Sequence, residues 1–533
     1  MKALSKKPTR LLKLSFLLAP MLLVFGPSCT NLTEVPHANL TPATAFQTDA
    51  QILAGVAGVY SGLRNVEDVS YIGLSELSTP DLIVPTRGSD WFDNGQWLDV
   101  HRQTWTANSA GTLNFGDQAW NSLFSGVAQS NLMIDVITKS GLAQARKDST
   151  LAELRTLRAW YYYMLQDLFG GVPLVTTTAL AQAPRTTRDS VFKFIESELL
   201  ASRGNLPDKW DSGNSGRATK GAANAILASL YINAGVFDKN TGVSATSYNT
   251  CSGVAVTGGD ACAGAIAAAN AVINSGVYSL SANWADNFSP TNKSSQENIF
   301  VVVHTAAGTS GIGGNWPMRT LHYNQLSTGW GSPWNGYSTT AETYNAFDAA
   351  DDRRGMWLVG QQKSFETGQN VTDRAGNPLI FTTVIADVTK AGEGVGVRFN
   401  KFSPIPSALT GNGQPNDFTF FRLAEMYLIK AEAEFESGNV AGAQADFNII
   451  HNKHDAANPA IVSRATIANE RTLEFAAEGK RRADMIRNGT FLSWTEASAN
   501  GHVDKSAEAF RLLYPISSNQ LASNSLLKQN PGY

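Results

Sequence analysis

Residues 151–175 read LAELRTLRAWYYYMLQDLFGGVPLV, and this stretch decides the fold class. Leu154, Leu157, Trp160, Tyr161, Met164, Leu165 and Leu168 recur at the three- and four-residue spacing of an α-helix. They form one broad apolar stripe, which must be buried against other elements, and Gly170-Gly171 ends it. Working outward, the same period is legible in Thr44 to Asn65, through Ile52, Val56, Val59, Tyr60 and Leu63, and in Trp120 to Val136, through Leu123, Val127, Leu132 and Ile134. Further helices are predicted over Ser190 to Leu206, Ala218 to Gly235, Ala263 to Gly276, Phe421 to Gly438 and Ala441 to His451, with one long charged helix over Ile467 to Asn488.

One pair has a recognisable period. Tyr427, Ala431, Gly438, Ala443 and Phe447 fall at the spacings of the tetratricopeptide repeat, in which small faces let two antiparallel helices approach and bulky rings fill the gap. Ala228, Tyr231 and Gly235 echo it more weakly. Between about residues 283 and 419 the texture changes to Gly, Asn, Thr and Trp with short β-like runs such as NIFVVVH and LIFTTVI. The reading is therefore mainly α: TPR-like helix pairs as a scaffold, carrying a long loop-rich insertion that contains short β-strands. Long loops on a rigid scaffold are where function concentrates.

The 533 residues leave ample material for a core, and only 16% are charged, so the polar surface is built from Asn, Ser, Thr, Gln and Gly. With 42 Lys+Arg against 45 Asp+Glu and no basic run, nucleic acid is excluded as a partner. Residues 1–28 read as an export signal, with Lys2, Lys6, Lys7, Arg10 and Lys13 ahead of the apolar run Leu14 to Phe25. That run is too short to span about 30 Å of hydrocarbon as a helix. Gly26-Pro27-Ser28-Cys29 resembles a bacterial lipobox, departing from it at Gly26 where Leu is usual, so Cys29 is the expected lipidation site. Removing residues 1–28 takes away five basic and no acidic residues and moves the formal charge from −3 to −8. Cys251 and Cys262 then remain in one Gly-rich segment; in an exported chain, without further ligands nearby, they read as a local disulfide rather than a metal site.

Several blocks together resemble the SusD/RagB family: Cys29 with its polar tether and Pro36, LRAWYYYMLQDLFGGVPLV, APRTTRDSVFKFIESELLASRGNLP, GRATKGAANAILASLYINAG, FRLAEMYLIKAEAEFESG, NERTLEFAAEGKRRADMIRNG and the terminal LLYPISSNQLASNSLLKQNPGY. The resemblance covers nearly the whole mature chain. It implies a lipoprotein signal peptide at 1–28, a lipidated Cys29 and tether at 29–40, an N-terminal helical part at 41–282, and a C-terminal part at 283–533 with a loop-rich ligand face and terminal TPR-like helices. It also implies a surface-exposed, lipid-anchored outer-membrane protein that captures an oligosaccharide, or in some branches a peptide, for a TonB-dependent β-barrel transporter of the SusC type. A TPR-type protein adaptor without a soluble ligand is the alternative of a different class. No cofactor is implied; Ca²⁺ braces a loop in some relatives, but no dense Asp-x-Asp-x-Asp run indicates it here.

Sugar rings need flat aromatic platforms for their apolar faces and amides, carboxylates or guanidinium groups for their hydroxyls. Two segments have that chemistry. RGSDWFDNGQW offers Arg87, Asp90, Trp91, Asp93, Asn94 and Trp97 in a loop too polar for a core helix or strand. GGNWPMRTLHYNQLSTGWGSPWNGYS offers Trp316, Tyr323, Trp330, Trp334, Asn335 and Tyr337 among glycines, with one or two of the Trp expected at solvent.

Enzymatic readings fare worse. Glu470, Glu474 and Glu478 share one predicted helix face, but a glycosidase needs two carboxyls about 5–9.5 Å apart across a cleft. With arginines beside them, they read as a structural ion-pair network. His451 and His454, at i and i+3, read as a solvated pair. GTSG at 308–311 lacks a nucleophile elbow, and GEGVG at 392–396 precedes a strand-like run rather than a helix. No catalytic constellation is present.

Overall fold

The structure, a computed structural model, describes residues 45–46, 48–305, 314–327, 332–404, 406, 413–495 and 508–533. The expectations placed on residues 1–40, including Cys29, and on Trp330 and 308–311 lie outside the described residues.

The scaffold is helical, as the periodicity predicts. Its elements are α1 (Asp49–Ser61), α2 (Asp117–Lys139), α3 (Gln144–Phe169), α4 (Arg188–Ser202), α5 (Lys220–Ile232), α6 (Ala261–Ile273), α7 (Leu423–Glu436), α8 (Val440–Asp455), α9 (Arg464–Phe475) and α10 (Arg481–Asn488). Thr48 caps α1 in a reciprocal box with Gln51, and Thr219 caps α5 by accepting from the Ala222 N–H. Helices pack as antiparallel neighbours, α2 on α3, α3 on α4, α5 on α6 and α7 on α8, while α6 also packs against α7. Among the described residues no helix is long and apolar enough to cross a membrane.

Small residues set the spacing. A Cβ at Gly126 of α2 would lie 2.3 Å from the Tyr161 ring of α3, so glycine is what admits that ring. The Tyr161 hydroxyl then reaches the Val59 carbonyl of α1 at 2.7 Å, tying three helices together. In the α7/α8 hairpin Ala431 and Ala443 are fully buried beside Phe447, Tyr427 packs against their cluster, and Gly438 turns the chain at φ +84°. That is the interlock expected from the repeat spacing. Cys251 and Cys262 are joined in a disulfide, with both residues buried beside the start of α6.

β1 (Asn298–Val302) and β2 (Phe418–Arg422) pair antiparallel, Asn298 opposite Arg422 and Val302 opposite Phe418. Every β2 residue is buried, and Trp160 of α3 meets Phe300, Phe420 and Phe421 edge-on at 6.4, 5.2 and 5.2 Å. This ladder attaches the loop-rich segment to the helical scaffold. Among the described residues the rest of that segment holds two-residue ladders, such as Trp357–Leu358 with Arg398–Phe399, and isolated bridges.

Two expectations need correction. The predicted helix over Ile467 to Asn488 is two helices, because Ala477 and Gly479 adopt φ of +60° and +77° between α9 and α10. Buried cations satisfy the carbonyls freed there: Lys401 Nζ donates to Glu474 O and Ala476 O at 3.2 and 3.0 Å, and Arg422 to Glu474 O at 2.7 Å. His451 and His454 are buried rather than solvated, with Nδ1 of each at 2.8 Å from Glu470 and 2.7 Å from Asp352 respectively.

Glu470 and Glu474 lie on α9 and Glu478 in the break after it, so the three do not share one helix face; their carboxylates form ion pairs with cations from other segments. Arg353 meets Glu470 and Glu474 at 2.6 Å each, Arg422 meets Glu478 at 2.9 Å, and Lys401 meets Glu478 at 2.5 Å. Burial would raise the Glu474 pKa, yet Arg422, His454 and Arg353 hold it well below the ordinary carboxylate value.

Candidate functional site

The two candidate loops meet. Asp90, Trp91, Asp93 and Trp97 from the first face Arg319, Tyr323 and Trp334 from the second across an open cleft of about 780 Å³, which Arg374 closes at one side. The first loop is a tight turn in which Arg87 and Asp90 exchange backbone hydrogen bonds at 2.9 and 3.0 Å. Trp91 leaves it at φ +66°, an uncommon conformation for a bulky side chain, one that costs about 1–3 kcal/mol and persists only where its surroundings enforce it. Enforcement comes from across the cleft: Trp91 Nε1–H donates to the Trp334 carbonyl at 2.7 Å. The Trp91 ring also covers Gly336, where a Cβ would lie 2.4 Å from it. Asp93 and Asn94 continue the turn at φ +40° and +56° before the short helix Gln96–His101.

Trp97 lies on that helix, so the loop is less irregular than its polarity implies. It is 3% exposed and forms the cleft floor, against Phe115 at 4.7 Å, Trp91 at 5.2 Å and Tyr337 at 6.1 Å, with its Nε1–H on Asp93 at 2.7 Å. Trp91, Trp334 and Tyr323 are half-buried and offer the cleft's remaining aromatic surface. The Arg319 guanidinium sits 5.0 Å from the Trp334 ring and is anchored to Asp68 at 2.9 Å. Burial opposes the Arg319 charge, but Tyr337 and Asp68 more than offset this and raise its pKa.

At the other side, the Tyr323 hydroxyl donates to Asp90 at 2.6 Å, and Arg374 lies 4.3 Å over the Tyr323 ring while pairing with Asp90 at 3.1 Å. Burial and the Asp90 carboxylate push the Tyr323 phenol up to about 12. Glu393 ties this side together through Arg374 and through His322 at 3.0 Å. Partial burial would raise Glu393, yet the Arg374 backbone and side-chain hydrogen bonds, with that of His322, bring it down to about 2. Burial depresses His322 below the ordinary histidine value, outweighing the Glu393 contact.

The remaining sequence candidates stand behind the cleft rather than in it. Trp316 is 5% exposed because it stacks on Phe418 and Phe402, at 6.1 and 5.5 Å. Tyr337 is buried under Trp97 and Trp316. Asn335 is buried at φ +54°, its oxygen accepting from Arg398 at 2.9 Å. Arg87 is buried too, donating to Ser338 Oγ at 2.9 Å and to the Gly392 carbonyl at 2.5 Å, and burial lowers it to about 9. Asn94 is exposed and lies outside the residues that line the cleft. Arg319 and Arg374 were not singled out from sequence. Arg319 lies inside the second segment, whose local signal is carried by its aromatic residues, and Arg374 comes from a turn with no local signal.

A family model described as the SusD family matches residues 296–533, and another, described as starch-binding and associating with the outer membrane, matches residues 59–232. The chain belongs to the SusD/RagB family. As a SusD/RagB protein it is 24% identical over 491 residues to the starch-binding protein SusD of Bacteroides thetaiotaomicron, covering 83% of this chain and 82% of that one. A structure titled laminarin binding SusD-like protein superposes with a TM-score of 0.71 at 24% identity, covering 92% of this chain and 100% of the other. Surface glycan-binding protein A from Bacteroides thetaiotaomicron, in complex with laminarihexaose, superposes at 0.70 with 20% identity, over 90% of this chain and 99% of that one. These likenesses establish the SusD-like, mainly α fold, and each named relative is a binding protein by its name.

Proposed function

We propose that this protein captures a neutral oligosaccharide in the cleft between Trp91 and Trp334, at the outer-membrane surface and anchored through an acylated Cys29, and delivers it to a TonB-dependent barrel of the SusC type. The observation that carries the reading is the juxtaposition of three half-buried aromatic rings with the polar groups of Asp90, Arg319 and Arg374 in one open cleft. Ring faces would take the apolar sides of sugar rings, and the charged edges would take hydroxyls. Support comes from relatives whose names state binding of starch or laminarin. Chemistry on the bound sugar is not part of the reading: Asp90 is engaged by Tyr323 and Arg374, and Asp93 by Trp97, so neither is poised as an acid or nucleophile.

The test is isothermal titration of the chain lacking residues 1–29 with laminarihexaose, maltohexaose, xylohexaose and a mixed peptide library. Binding of at least one oligosaccharide, without its hydrolysis, supports the reading. Peptide binding with no oligosaccharide binding would replace it with peptide capture.

A further inference from the structure

A second cavity lies on the far side of the Asp68–Arg319 ion pair. It holds about 230 Å³ and is lined by Asn65, Glu67, Asp68, Gln118, Asn315 and Trp316, with Arg64, His304 and Gly314 completing the wall. Asn65 and Gln118 are exposed and form its mouth; Glu67, Gly314 and Trp316 are buried and form its floor. Asp68 lines this cavity and Arg319 lines the aromatic cleft, so their ion pair is the partition between the two.

The floor carries an unused acceptor. Glu67 is 4% exposed; its Oε2 is held by His304 Nε2 at 2.6 Å, while Oε1 has no hydrogen-bond partner among the described residues. A buried carboxylate oxygen without a donor is costly, which makes it a place for a donor to arrive. The floor is also kept open at that atom: a Cβ on Gly314 would lie 2.6 Å from Glu67 Oε1.

We propose that this cavity is a second carbohydrate subsite, taking one hydroxyl-rich ring whose hydroxyl donates to Glu67 Oε1 while the amides of Asn65, Gln118 and Asn315 meet the others at the rim. The proposal rests on the reading of the aromatic cleft as a carbohydrate site, and extends it to a ring or branch that the cleft does not hold. Size favours a single ring, because the cavity is smaller than the roughly 300–1,000 Å³ of a pocket for a larger ligand. Charge favours a neutral donor over a metal ion: Glu67 and Asp68 are matched by Arg64 and Arg319 around them, and among the described residues no group of three His, Cys, Asp or Glu stands ready to hold a metal.

The experiment uses the chain lacking residues 1–29 and free monosaccharides, D-glucose, D-galactose, D-mannose and D-xylose, which fit the cavity without needing the cleft. Three variants are titrated beside the wild type: Gly314→Ala, which fills the space beside Oε1; Gln118→Ala, an exposed rim change that leaves the fold undisturbed; and Trp91→Ala, which removes a cleft platform only. Expected is millimolar binding of at least one monosaccharide that survives Trp91→Ala and weakens about tenfold or more with Gly314→Ala and measurably with Gln118→Ala. Crystals soaked in that sugar should show a ring against Glu67. Ordered water alone in the cavity after soaking in all four sugars, or a bound monosaccharide whose affinity ignores Gln118→Ala and Gly314→Ala, overturns the proposal. If oligosaccharide binding fails everywhere while a monosaccharide still binds beside Glu67, the cleft reading falls and the subsite stands.

Discussion

Two regions of this protein are built from the same residue types and do opposite things. In the network around α9, Arg353, Arg422 and Lys401 are fully enclosed, and their donors are taken up by the carboxylates of Glu470, Glu474, Glu478, Asp351 or Glu297 and, for Lys401 and Arg422, by the backbone carbonyls of Glu474 and Ala476 as well. Around it the large rings are equally closed in, Trp284 under Lys401 at 4.7 Å and Phe288 beside both Lys401 and Arg422. In the cleft, the Arg374 side chain is 53% exposed, and Trp91, Trp334 and Tyr323 each keep part of a face toward solvent. Arginine beside aromatic residue and carboxylate therefore says little by itself. What separates scaffold from site is whether the polar capacity is used up: buried networks fix geometry when complete, and sites keep surface in reserve.

The largest effect should come from breaking the closed network. Glu474→Ala leaves Arg353, Arg422 and His454 buried around a missing anion and should lower stability by about 3–5 kcal/mol, read as a shift in the urea midpoint. An unchanged midpoint would mean the network is not the structural keystone described. In the cleft the balance reverses. Trp91→Ala should weaken oligosaccharide binding by tens-fold, about 2 kcal/mol, while shifting the urea midpoint far less than Glu474→Ala. A midpoint shift as large as that of Glu474→Ala would erase the distinction between the regions.

A finer change separates ring position from ring presence. Gly336→Ala keeps every aromatic residue but drives a methyl into Trp91, so titration should show affinity falling by about 1–2 kcal/mol with little change in melting temperature. The smallest effect concerns pH. Because the Glu393 carboxyl titrates lower in the folded protein than its ordinary 4.5, its contribution is complete above about 4.5 and is lost as pH falls through about 2. Comparing wild type with Glu393→Gln, the difference in acid stability should shrink across that window and be flat above it.

How far this was legible from sequence follows from the range of the interactions. The scaffold helices were legible because apolar period and local caps, such as Thr48 and Thr219, lie within one stretch of chain. The break at Ala477 was not, because the cations that stabilise it, Lys401 and Arg422, stand more than fifty residues upstream. Trp316 looked available because it sits among glycines, yet Phe402 and Phe418, about a hundred residues later, enclose it. Trp91, Trp334 and Tyr323 are legible by residue type; that they share one cleft, walled off by the Arg319–Asp68 pair from the cavity behind it, requires the fold.

The most direct measurement is the crystal structure of the chain lacking residues 1–29 with the best-binding hexasaccharide from the titrations. The account predicts sugar rings stacked on Trp91 and Trp334, with hydroxyls bonded to Asp90, Arg319 or Arg374. An oligosaccharide ordered elsewhere on the surface, with the Trp91–Trp334 cleft empty, would contradict it.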